Sequence, residues 1–126
     1  MDAMHDAPSA KELIEAVKSF LDKTAMVQLQ GHAAFHARVA SNALATVLRE
    51  MEQRPAAEAR ERERLQALLN SKETDVSLLN RALCEEIRSK RVDLATPGLL
   101  THLKSTTIDQ LSVDQPGYSG LRTAAR

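Results

Sequence analysis

Apolar residues recur along this chain at helical spacing from near its start to beyond residue 110. Leu13, Ile14, Val17, Phe20, Leu21 and Thr24 form the first stripe. Just before it, Ser9-Ala10-Lys11-Glu12 fits a capping box: the Ser9 hydroxyl accepts from the Glu12 amide and the Glu12 side chain reaches back to the Ser9 amide. The pattern predicts a first helix over about 9–29, broken at Gly31. Phe35, Val39, Ala43, Val47 and Met51 then form an i, i+4 ladder flanked by Ala40, Leu44 and Leu48. So wide a stripe marks a central second helix, over about 32–53, with a face for a second subunit as well as for the core.

Pro55 cannot continue a helix but suits the first turn of the next, which places a third helix at about 55–70. Its Glu58, Arg60, Glu61, Arg62, Glu63 and Arg64 read as a solvated face, with Glu58 and Arg62 in the favourable i, i+4 order. Only Leu65, Leu68 and Leu69 offer a core edge. After a loop at Asn70–Glu73, Thr74 or Asp75 can cap a fourth helix over about 75–91. Its apolar face is Val76, Leu79, Leu83 and Ile87, with Cys84 at the edge as a small buried hydrophobe. Thr96 as cap and Pro97 at the first position open a fifth helix, with Leu99, Leu100, Leu103, Thr107 and Leu111 as its stripe.

Gln115–Gly120 is turn-like, and no segment alternates as a strand does. The expectation is an all-α, compact bundle of about five helices around one shared core. It forms a single domain over 1–126, with the core at about 9–113 and a flexible C-terminal tail over 114–126.

Composition narrows the functions. The 126 residues, 13.9 kDa in all, carry 17 Lys and Arg against 17 Asp and Glu, so a general nucleic-acid surface is not expected. The aromatics are Phe20, Phe35 and Tyr118, too few to build a stacking platform for bases. One cysteine excludes an intramolecular disulfide and a cysteine-built zinc site. No apolar run approaches membrane-spanning length and no secretory leader is visible, which leads to the expectation of a soluble, cytoplasmic protein.

A few polar residues stand in unexpected places. His36 falls near the centre of the second helix's apolar face and reads as a buried neutral imidazole bonded to a neighbouring carbonyl or side chain. With His32 at i, i+4 it can present two ligands to a metal, with Cys84, His102 or a carboxylate as the third. Ala33, Ala34 and Phe35 between them supply no general base, and no metal or other cofactor is expected. Arg38, Asn42 and Arg49 lie on the other side of that helix, within roughly 40° of one another at 100° per residue. They can grip a phosphate or carboxylate, or pair with acids such as Glu85, Glu86 or Asp109. Asn80 sits on the apolar face of the fourth helix, where a buried amide needs a partner. No Cys-His or Ser-His-Asp set, Gly-rich phosphate loop or paired-carboxylate motif stands out.

The segments Phe35–Leu44 and Leu79–Arg88, with Asp109, Leu111, Asp114, Pro116 and Tyr118, resemble a small bacterial domain family of unknown function. The resemblance covers roughly residues 9–118 and rests on helix faces, not catalytic signatures. That family is described as lying beside, or fused behind, kinase-like proteins of the aminoglycoside-phosphotransferase type, with acyl-CoA dehydrogenases in the same setting. The resemblance implies a role accessory to acyl-CoA or acyl-phosphate metabolism. It marks His36, Arg38, Asn42, Asn80 and Arg81 as the family-like polar positions. Gln110 stands where the family pattern has a basic residue, and Gln115 where it has Asn before the proline.

Three functions follow, in order. The first is a non-catalytic accessory or interaction domain that self-associates and works with a protein partner such as an acyl-CoA or kinase-like enzyme. The second is a domain binding a small CoA- or phosphate-like anion through Arg38, Asn42 and Arg49, with Asn80 and Arg81 as further candidates. The third is a small enzyme with His36 as base, and it requires a cavity that reaches that ring.

Overall fold

A computed structural model describes residues 7–125; Arg126, the last residue of the expected tail, lies outside them. The chain is all-α, with no strand among the described residues. No helix among them is long and apolar enough to cross a membrane. The residue contacts divide the chain into two compact units, Met1–Glu52 and Gln53–Arg126.

In the first unit the capping box forms as the sequence predicts. The Glu12 amide donates to Ser9 Oγ at 3.2 Å and the Ser9 amide to Glu12 Oε1 at 3.3 Å. Helix α1 (Ala10–Phe20) follows, then a π-helical turn over Leu21–Ala25 and the short α2 (Met26–Gln28). Gly31 breaks the run with φ +61, a left-handed conformation that favours glycine. It also begins α3, which is 39 residues long, Gly31–Leu69.

Two expected helices are therefore one, and Pro55 lies inside it. Proline's fixed φ is already helical, so what it takes from the helix interior is one amide donor, the partner of the carbonyl four residues earlier. That carbonyl belongs to Met51, a residue 41% exposed. The break expected at Pro55 is absent.

Only Ala37 and Ser41 are buried among the described residues of the first unit. They stand one turn apart on α3, and their small side chains allow a close approach. The Ser41 hydroxyl donates to the Asp22 carboxylate in the π-helical turn, and Lys18 Nζ holds the same carboxylate at 2.7 Å. These bonds hold the Asp22 carboxyl below its ordinary range, the Lys18 bond first and the Ser41 bond second. The buried edge of α3 thus runs through Ala37 and Ser41, about 100° from His36. His36 is exposed, which corrects the buried imidazole read from the sequence.

The second unit holds the hydrophobic core: Leu65, Leu79, Leu83, Val92 and Leu99, with Leu69 and Val76 packed against it. These come from the later part of α3, from α4 (Val76–Arg88), from the loop after it and from α5 (Leu99–Asp114). Asp75 caps α4, its Oδ1 accepting from the Ser77 amide at 2.8 Å and the Leu78 amide at 3.2 Å. The helix ends at Arg88, short of the expected 91. Lys90 turns left-handed at φ +62, and the Arg91 and Val92 amides close back onto the Glu86 carbonyl at 3.0 and 3.2 Å. That closure carries Val92 into the core.

The cap of α5 also differs from expectation. Thr96 Oγ1 accepts from the Asp93 amide at 2.9 Å, so its side chain serves the preceding turn. The N-cap is Gly98, left-handed at φ +91 and without a side chain to offer. Leu99 is buried, whereas Leu100 and Leu103 are 57% and 42% exposed. Beyond Gln115 the chain forms a short helix, α6 (Ser119–Ala124), which packs on α5. Cys84 is exposed, not the buried hydrophobe its position suggested: the buried edge of α4 runs through Leu79 and Leu83.

Candidate functional site

Four side chains of the α3 charge run, Arg60, Glu61, Arg62 and Arg64, are bonded to residues beyond α3 in the second unit. Arg60 Nη2 donates to Asp109 Oδ1 at 3.1 Å, and Arg62 Nε to the Thr74 carbonyl at 2.8 Å. Asn80 Nδ2 donates to Glu61 Oε1 at 3.1 Å, and Gln66 Nε2 to the Glu73 carbonyl at 2.8 Å. The solvated face expected from the sequence is a polar belt around Leu65, which has no exposed surface. Asn80 is half-buried in it and satisfied by Glu61.

The innermost member is Arg64. Its Nε donates to His102 Nδ1 at 3.0 Å and its Nη2 to Thr106 Oγ1 at 3.1 Å. His102 is 2% exposed. Burial lowers its pKa first and the Arg64 cation lowers it further, against a smaller upward pull from Glu61. A guanidinium only donates, so Nδ1 must be the ring's bare nitrogen, and the neutral ring carries its proton on Nε2. In the sequence His102 stands out only as a possible third metal ligand beside His32 and His36. The signal available was a histidine one turn into a helix beside the buried Leu99.

In the first unit the prominent feature is apolar and uncovered. The α3 ladder expected as core is exposed: Phe35 by 58%, Val39 by 48%, Val47 by 39% and Met51 by 41%. Leu13, Val17 and Phe20 of α1 are about as open. Phe35 meets the His36 ring edge to face, with centroids 5.7 Å apart.

Arg38 and Asn42 are exposed on α3, and Arg38 has no hydrogen bond or ion pair among the described residues. Arg49 is half-buried, with Nη2 donating to Thr46 Oγ1 at 3.1 Å. In the second unit Arg81 is exposed beside Asn80. The acids weighed as arginine partners are held by others: Glu85 by Arg88 at 2.8 Å, Glu86 by Arg91 at 2.9 Å and Asp109 by Arg60 at 3.1 Å. The Arg91 guanidinium holds the Glu86 carboxyl below its usual range. His32 and His36 are both exposed, and no three His, Cys, Asp or Glu side chains gather as a metal site among the described residues.

The model of a family described as a domain of unknown function, DUF6285, matches residues 27–118, and the chain belongs to that family. No curated protein and no solved structure matches the chain.

Proposed function

We propose that this chain is a non-catalytic interaction domain that pairs with a second copy of itself through the Phe35–Met51 face of α3. The observation that carries this reading is the exposure of that ladder at all five of its i, i+4 positions, Phe35, Val39, Ala43, Val47 and Met51. Contiguous apolar surface of this kind marks an interaction site. The face is also self-complementary. On a wheel of 100° per residue, Val39 and Val47, and likewise Phe35 and Met51, lie at equal angles to either side of the line through Ala43. An antiparallel pair centred on Ala43 sets Phe35 against Met51 of the second copy and Val39 against Val47. A two-fold contact of this type is the commonest form of self-association. The small Ala40 and Ala43 let the two helices approach.

The setting carried over from the sequence resemblance is a bacterial cytoplasm. There the paired domain serves as an accessory to kinase-like proteins and acyl-CoA dehydrogenases. A second reading, a phosphate- or CoA-like anion held by Arg38, Asn42 and Arg49, rests on the unpartnered Arg38. Calorimetry with coenzyme A separates the two readings, since heat that is lost in Arg38→Ala favours the second.

The pairing is tested by Ala43→Cys in a Cys84→Ser background under mild oxidation. Rapid formation of a covalent dimer is expected, with Arg38→Cys in the same background as the off-face control. Equal cross-linking of the two variants, or none, overturns the proposed face.

A further inference from the structure

His32 and His36 stand one turn apart near the start of α3, and both residues are exposed. We infer that their two imidazoles chelate one late transition-metal ion of the Zn²⁺ type on the surface of that helix. The sequence pattern put His36 in the core, where it could not reach an ion from solvent. Its exposure in the structure makes the pair available.

Residues four apart on a helix are surface neighbours, with Cβ atoms about 5–6 Å apart. Two exposed rings at that spacing can each turn a nitrogen toward one ion, at the usual distance of about 2.0–2.1 Å. Neither ring has a hydrogen bond or ion pair among the described residues, so each neutral ring has a nitrogen lone pair to give. Phe35 meets the His36 ring edge to face, a contact that takes neither nitrogen. The helix is continuous through both positions, so the spacing is set before an ion arrives.

The donors decide the ion. Imidazole suits Zn²⁺, Cu²⁺ and Ni²⁺, whereas Mg²⁺ and Ca²⁺ take oxygen. No Asp or Glu lies between Asp22 and Glu50 in the chain, so the sequence around the pair supplies no carboxylate for a hard cation. No third His, Cys, Asp or Glu joins the pair among the described residues. Two of the four positions of a tetrahedral ion therefore stay open to water or to a ligand from outside the chain.

The test is imidazole NMR of the full chain titrated with Zn²⁺ and, separately, with Mg²⁺. It is run in a Cys84→Ser background, which removes the exposed thiol as a competing ligand. Saturable shifts at the His32 and His36 rings are expected with Zn²⁺ and none with Mg²⁺. Loss of an outer partner of a metal ligand costs about 10–100-fold in affinity, so loss of a ligand itself, in His36→Ala or His32→Ala, should cost at least about tenfold. Adding Ala33→His to His36→Ala restores the number of histidines at an exposed position but sets the rings about 100° apart on the helix, and should not restore binding. The titration is repeated on Val39→Asp, so that the result does not depend on pairing. Absence of saturation at these rings, unchanged Zn²⁺ affinity in the folded single variants, or full restoration by Ala33→His overturns the chelate. An equal response to Mg²⁺ overturns the choice of ion.

Discussion

Arg64 Nε donates to His102 Nδ1 at 3.0 Å, and this bond ties the charge run of α3 to the first turns of α5. It fixes a histidine in its neutral form inside the unit that holds the core. The same arginine reaches Thr106 one turn further along α5, so a single side chain registers the two helices.

Stability should therefore depend on pH near neutrality. The folded pKa of His102 lies below the ordinary 6.5, so between those two values the unfolded chain binds more protons than the folded one. The contribution is complete above 6.5 and is lost as pH falls from there toward the folded value. Urea midpoints measured between about pH 8 and about pH 5 should fall with acidification, and His102→Gln should flatten the slope. A flat wild-type profile would contradict the buried neutral ring.

Asp22 should titrate below 3.8, because Lys18 and then Ser41 stabilise its charged form. Ser41→Ala should move its titration upward but not fully to the ordinary value, since Lys18 remains. Carboxyl-detected NMR reads this directly, and a titration unchanged by the substitution would remove Ser41 from the account.

Leu65 is fully buried, and Leu65→Ala should cost about 2–5 kcal/mol in urea unfolding. Leu100 is 57% exposed, and Leu100→Ala should stay within about 0.5 kcal/mol. Similar costs for both would mean that α5 packs in another register.

Pro55→Ala should stabilise the chain by about 1–3 kcal/mol, because it restores a donor inside α3. If Pro55 instead began a separate helix, alanine would forfeit a favourable first-turn residue and stability would drop.

Local signals in the sequence were sufficient for much of the fold. The Ser9 box, the Gly31 break, the Asp75 cap and the apolar edge Leu65, Leu79, Leu83 and Leu99 are all written in short-range spacing. What spacing does not carry is which stripe finds a partner. The Phe35–Met51 ladder is the widest apolar pattern in the chain, yet in the first unit the buried edge runs through Ala37 and Ser41. Periodicity puts His36 and Cys84 on an apolar face without saying what lies opposite that face, and both are exposed. Arg60, Arg62 and Arg64 looked solvated because their acceptors lie far away in sequence, at Asp109, Thr74 and His102. Thr96 looked like a cap because the competing local bond to the Asp93 amide leaves no trace in the helix pattern.

The central claim is that the exposed ladder of α3 is a self-association face, and sedimentation velocity on the wild-type chain beside Val39→Asp measures it directly. The wild type should sediment at twice 13.9 kDa at concentrations up to about 100 µM, and the variant at 13.9 kDa with unchanged helical content. A wild type that sediments as a monomer over that range, or a variant that still pairs, would contradict it.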